Sequence, residues 1–163
     1  MTTVLIPGSF DPPTLGHVAL VAQARRLADR VVVAVAQNTA KRGMFPPAQR
    51  VDLLRQALAD FDGVEVCLCE GLVVDLARQV GADALVKGVR GAVDTDNEIA
   101  QATLNRRLGG IDTFLVPTLP EWAAVSSSAV REIAATGGDV TEFVPEAVAA
   151  ALATRTGEDH HDH

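Results

Sequence analysis

The chain has 163 residues, 48% of them apolar, and a formal net charge of −7, which suits one domain with enough apolar side chains to close a core. The acidic balance argues against a nucleic-acid-binding face, and a mean hydropathy of +0.19 argues against disorder. The longest apolar run, Val31 to Ala36, is too short to span a bilayer, and the first residues lack the charged start and apolar stretch of a secretory leader, so the chain is expected in the cytoplasm.

Val4-Leu5-Ile6 opens the chain as a strand-like run that breaks at Pro7-Gly8. After Ser9, Phe10, Asp11 and two prolines, order resumes as an amphipathic helix with Val18, Leu20, Val21, Ala24 and Leu27 as its apolar positions. Arg30 to Ala36 reads as a strand buried on both faces, as in a parallel sheet, and the polar loop Gln37 to Gly43 follows it. Pro46-Pro47 opens a helix over 48–59. Asp62-Gly63 turns into a strand over 64–68, and a helix over 72–80 closes at Gly81. A short strand over 84–86 runs into the turn Lys87-Gly88-Val89-Arg90-Gly91. A helix over 95–108 ends at Gly109-Gly110, and a fifth strand spans 113–116. Ser126-Ser127-Ser128 caps a helix over 129–135, and Pro145 starts a last one to about Leu152.

Strand and helix alternate five times over short connections. The pattern predicts an α/β fold, a Rossmann-like doubly wound five-stranded parallel sheet with helices on both faces. One domain is expected over 1–153, with 154–163 as an unstructured tail. Cys67 and Cys69 alternate with Val66 and Leu68, so they share one face. They are too few for a metal or disulfide framework and are expected as small buried apolar groups.

Three patches fall just past strand ends: Gly8 to His17, the loop with Lys41, and Lys87 to Arg90. Ligands in open α/β sheets bind at that edge. A strand turning through glycine into a helix presents free N–H groups to an anion. Thr14 and His17, three apart, point to one side of the first helical turn. Of the 14 basic residues only Lys41 and Lys87 are lysines, compact point charges where the chain otherwise uses arginine. The Walker and Gly-x-Gly-x-x-Gly strings are absent. The residues alone thus indicate a phosphorylated nucleotide held by two helix N-termini, His17 and several cations, with phosphoryl or nucleotidyl transfer as the chemistry such a site performs.

Gly8-Ser9-Phe10-Asp11-Pro12 followed by Thr14-Leu15-Gly16-His17 resembles the first signature of nucleotidyltransferases with a His-x-Gly-His or Thr-x-Gly-His motif. With Lys87-Gly88-Val89-Arg90 and Trp122-Ala123-Ala124-Val125-Ser126-Ser127-Ser128, the chain from about Thr3 to about Leu152 resembles the bacterial phosphopantetheine adenylyltransferases. That resemblance implies transfer of the adenylyl group of ATP to 4′-phosphopantetheine, with Mg²⁺, giving dephospho-coenzyme A and pyrophosphate in coenzyme A biosynthesis. It also implies a homohexamer and raises feedback binding of coenzyme A.

By the same resemblance, His17, Lys41 and Arg90 are the catalytic residues. Ser9, Phe10, His17, Gly88, Val89, Arg90, Glu98 and 122–128 meet ATP, while Ser9, Lys41, Val73 and Lys87 meet the acceptor. No metal ligands are indicated. The chain departs from the family pattern with Lys87 in place of Arg, Asn97 in place of a common aromatic, and Thr14 in place of the superfamily's first His. Another adenylyl- or cytidylyltransferase, or a non-catalytic ATP-binding sensor, remains the alternative reading.

Overall fold

Five strands, β1 (Thr3–Gly8), β2 (Arg30–Ala36), β3 (Val64–Cys69), β4 (Ala84–Val89) and β5 (Thr113–Pro117), pair in parallel in the order β3-β2-β1-β4-β5. The structure is a computed structural model that describes residues 1–37, 40 and 42–159, the side chains of 156–159 excepted. Helices α1 (Leu15–Arg25), α2 (Pro47–Ala57), α3 (Val73–Val80), α4 (Ala92–Gly109), α5 (Ser127–Ala135) and α6 (Glu146–Asp159) complete it.

The period of two along the strands divides the core. Val4, Ile6, Val31, Val33, Val35 and Val86 face α1 and α2, meeting Val21, Ala24, Val51 and Leu54. Leu5, Val32, Ala34 and Leu85 point the other way, onto Val74 and Ala77 of α3 and onto Ile111. The two central strands are therefore buried on both faces, which is why they are continuous apolar runs. Each such side chain contributes about 1.5–3 kcal/mol relative to exposure. A third cluster joins the far side of α2 to α5 and α6 through Phe45, Leu53, Val130, Val148 and Leu152. Cys69 is buried in the second cluster, and Cys67, on the same face as expected, is only half-buried and packs against it.

The chain winds outward from β1 to β2 and β3, then crosses to β4 on the other side of β1. That reversal leaves a crevice between β1 and β4 at their C-terminal ends, the usual ligand position in such sheets. The register shows it. The β1–β2 pairing continues to Gly8↔Val35, whereas β1 and β4 pair only at Val4↔Ala84 and Leu5↔Leu85. Both strands run on past that point with the crevice between them.

Several boundaries differ from the sequence reading. Lys87, Gly88 and Val89 are not a turn but the end of β4, because β5 pairs with them through Leu115, Val116 and Pro117. Helix α4 starts at Ala92, directly after the extended Gly91, so Asp94 occupies its first turn. Helix α6 continues past Leu152 to Asp159, so backbone order enters the segment expected as a tail. Arg155 there donates to the Met44 carbonyl and lies 5.4 Å from the centre of the Phe45 ring. A 3₁₀ turn over Pro120–Trp122 has no counterpart in the sequence reading.

Candidate active site

The first turn of α1 fixes the imidazole. Thr14 is the N-cap, and its hydroxyl accepts from the His17 N–H at 3.3 Å. In return the Thr14 N–H donates to His17 Nδ1 at 2.9 Å. This is a reciprocal capping box, with histidine where Glu or Gln is usual. An Nδ1 that accepts a backbone N–H carries no proton, so the neutral ring keeps its hydrogen on Nε2. Burial, then the charges of Arg90 and Lys87, lower the His17 pKa from 6.5 to about 4. At neutral pH His17 is thus an uncharged donor of fixed tautomer.

Phe10 holds the ring from the side. The two rings meet edge to face, with centroids 4.8 Å apart at 74°. Phe10 is buried and has a positive φ of 50°, a conformation few non-glycine residues adopt. Gly8 makes room for it, since a Cβ there would lie 3.0 Å from the Phe10 ring.

On the opposite wall, the end of β4 and the start of α4 supply cations with carboxylate partners. Lys87 Nζ lies 3.4 Å from Glu98 and donates to the Pro7 carbonyl at 3.3 Å. Arg90 is held by Asp94, with Nε donating at 2.8 Å and Nη2 at 3.3 Å. The sequence reading placed Glu98 here but missed Asp94, whose spacing of four residues after Arg90 on a helical stretch was the available signal.

Helix α5 brings the second N-terminus. Ser126 caps it by accepting from the Ala129 N–H at 3.0 Å. Ser127 Oγ donates to the Pro12 carbonyl at 2.8 Å, which ties α5 to the loop after β1. The segment before α5 passes close to Gly16: a Cβ at Gly16 would be in ordinary van der Waals contact with Trp122 Cβ at 3.5 Å and the Val125 carbonyl at 3.8 Å.

These parts enclose a cleft of about 290 Å³ at the β1/β4 crevice. Ser9, Phe10, His17, Lys87, Gly88, Arg90, Glu98 and Val125 to Ser128 all line it. Leu20, Asp94 and Thr118, not singled out from the sequence, line it too. Val89 and Ala124 each adjoin a lining residue in the chain, while Trp122 and Ala123 lie further from it, and none of the four is part of the wall. Val73 begins α3 and packs against the second core cluster. Lys41 lies outside the described residues. Among the described residues no three His, Cys, Asp or Glu side chains are placed to share a metal ion. The cleft joins two helix N-termini, two cations and a neutral imidazole donor, a combination suited to holding phosphates and stabilising charge that develops on them.

The family model described as cytidylyltransferase-like matches residues 5–133. A Cutibacterium acnes protein named phosphopantetheine adenylyltransferase is 49% identical, over 91% of this chain and 94% of its own. A Kocuria rhizophila protein of the same name is also 49% identical, over 93% of this chain and 98% of its own. In fold, the chain is similar to a Vibrio parahaemolyticus structure assigned as a nicotinate-nucleotide adenylyltransferase, with TM-score 0.66 and 16% identity over 93% of this chain and 99% of that one.

Proposed function

The chain belongs to the cytidylyltransferase-like family and, within it, to the phosphopantetheine adenylyltransferases, and from that premise we infer that it transfers the adenylyl group of ATP to 4′-phosphopantetheine, releasing pyrophosphate and forming dephospho-coenzyme A. The observation that carries the mechanism is the single cleft in which the α1 and α5 N-termini, His17, Lys87 and Arg90 converge.

An oxygen of the acceptor's 4′-phosphate attacks the α-phosphorus of ATP in line. The P–O bond to the β-phosphate breaks, and pyrophosphate carries away the electron pair. A phosphate monoester is largely dianionic at neutral pH, its second pKa being about 6, so no general base is required. The protein's task is positioning and charge stabilisation. Nε2–H of His17 donates to a phosphate oxygen as charge builds on it. Lys41 and Arg90 stabilise the transferring group and the departing pyrophosphate, and the N–H groups opening α1 and α5 donate to the remaining phosphate oxygens. Because Asp94 already holds one edge of the Arg90 guanidinium through Nε and Nη2, Arg90 enters the reaction orientated.

Mg²⁺ is proposed as a companion of the triphosphate. The carboxylates of the cleft, Asp94 and Glu98, are each paired with a cation, and this donor set fits a metal carried mainly by phosphate oxygens and water, with at most those two carboxylates as protein ligands. Bound there, the metal neutralises triphosphate charge. Coenzyme A, which shares the acceptor's pantetheine arm, is expected to compete for the same cleft. The reaction belongs to the cytoplasm, where ATP is supplied; no described helix is long and apolar enough to cross a membrane.

A homohexamer is supported by α4, which buries no residue within the protomer and leaves Val93, Ile99, Leu104 and Leu108 exposed. Phe114 on the edge strand β5 is exposed as well. Apolar surface of this kind marks a subunit interface. The number six comes from the family resemblance, and sedimentation equilibrium tests it.

The deciding assay is pyrophosphate release with ATP and 4′-phosphopantetheine, run beside CTP as donor and nicotinate mononucleotide as acceptor. Turnover confined to the first pair is expected. Binding of ATP without any pyrophosphate release would favour a sensor and overturn the reading.

A further inference from the structure

The three serines that open α5 use their hydroxyls differently. Ser126 Oγ accepts the Ala129 N–H as the cap, and Ser127 Oγ gives its proton to the Pro12 carbonyl. Ser128 Oγ accepts from Nη2 of Arg131, one turn along the same helix, at 3.1 Å. A guanidinium carries donors only, so this bond occupies a lone pair of Ser128 and leaves its proton unspent. No hydrogen bond among the described residues takes that proton. Ser128 lines the cleft, whereas Arg131 is not part of its wall.

Arg131 is itself anchored across the fold. Its Nη1 donates to the Asp11 carbonyl at 2.6 Å, in the loop after β1. That peptide group is a fixed point, because the Asp11 side chain is buried and held. Its carboxylate accepts from the N–H groups of Met44 at 2.7 Å and Phe45 at 2.8 Å, and it faces Nε of the buried Arg50 at 4.0 Å. The guanidinium therefore spans from a rigid carbonyl to the first turn of α5. A serine hydroxyl on a helix otherwise rotates among its staggered positions, one of which turns it back onto a carbonyl of the preceding turn. Holding its oxygen removes that freedom before a ligand arrives.

We propose that Arg131 is a positioning residue for the nucleotide: anchored on the Asp11 carbonyl, it holds the Ser128 oxygen so that the Ser128 hydroxyl donates to a phosphate oxygen of the bound triphosphate. The inference rests on the reading of the cleft as an ATP site given above. Arg131 acts through Ser128, because both of its outer nitrogens are already engaged by the protein.

The test is a double-mutant cycle on the dissociation constant for ATP, measured by titration calorimetry on wild type, Ser128→Ala, Arg131→Met and the double variant. Each single substitution raises the constant about three- to tenfold, the worth of one hydrogen bond. The double variant stays within about twofold of the weaker-binding single variant, because the guanidinium then has no hydroxyl left to aim. Thermal midpoints of the same four proteins add, since the tie to Asp11 holds whether or not Ser128 is present. Single effects on ATP binding that multiply in the double variant overturn the proposal, as this is what the Arg131 charge alone or a general loosening of α5 produces. A dissociation constant unchanged in either single variant overturns it as well. Should Arg131→Met not fold, Arg131→Gln, with one amide in place of the fork, takes its place in the cycle under the same criterion. Wild-type protein that binds ATP but releases no pyrophosphate with 4′-phosphopantetheine refutes the proposed function and leaves the cycle to decide this inference; wild-type protein that binds no ATP overturns both.

Discussion

Replacing His17 with glutamine separates its role in the fold from its role in the chemistry. Glutamine is a normal partner at the third position of a capping box, so its side-chain oxygen can still accept the Thr14 N–H, and the start of α1 survives. Two things are lost. The first is the Nε2–H donor in its present place, which is expected to lower kcat by about 10²–10³. The second is a titrating group. Folding lowers the His17 pKa from 6.5 to about 4, so the unfolded chain takes up the proton first as pH falls. The stability this contributes is complete above 6.5 and is lost progressively as pH falls to about 4; below that both states are protonated and nothing further changes. The drop corresponds to about 3 kcal/mol. Denaturant unfolding of wild type and His17→Gln between pH 7 and pH 4 should show the difference between the two proteins shifting in the variant's favour by about that amount. Subtracting one curve from the other removes the common contribution of the carboxylates. Parallel curves, or a His17 imidazole resonance titrating near its ordinary value, would refute the assignment of a neutral, buried donor.

Arg90→Met removes one of the two charges that lower His17, so its pKa should rise from about 4 toward 6.5, burial and Lys87 still holding it below that value; imidazole NMR reads the shift directly. The same variant should raise KM for ATP while leaving the thermal midpoint almost unchanged, because the Arg90–Asp94 pair is partly exposed. Gly8→Ala drives a Cβ against the Phe10 ring and should cost about 1–3 kcal/mol of stability together with turnover, since Phe10 supports His17. Gly109→Ala is the matched control. Its Cβ would lie 2.5 Å from Val74 Cβ, away from the cleft, so a similar loss of stability is expected with KM for ATP intact.

The central strands and the glycine-bounded helices were legible because their causes are local. Val31 to Val35 had no polar position to present to water, and Gly81 and Gly110 take the left-handed conformation that ends a helix. The first signature was legible for a related reason: cap, histidine and close-approach glycine lie within one turn. Where the cause is a distant partner, the pattern misled. Lys87-Gly88-Val89 has the composition of a turn, yet β5 recruits it into the sheet. Gly91 offers no side-chain cap, so nothing in the sequence announced the start of α4, and Asp94 was passed over although it holds Arg90.

Arg50 shows the same limit at its strongest. On α2 it stands next to Val51 and three residues before Leu53 and Leu54 begin to matter as core, and by type it belongs to the solvent. Its burial depends on four accepting groups, the carbonyls of Ser9, Ala36 and Phe45 and the carboxylate of Asp11, which only the closed sheet brings together. The residues that touch phosphate could be read from short motifs because anion binding is made by one helix turn at a time. The residues that hold those turns in register could not, because holding two loops together requires contacts that are long in sequence by construction. A search for functional residues in this fold that stops at the cleft wall therefore finds the donors and misses what aims them.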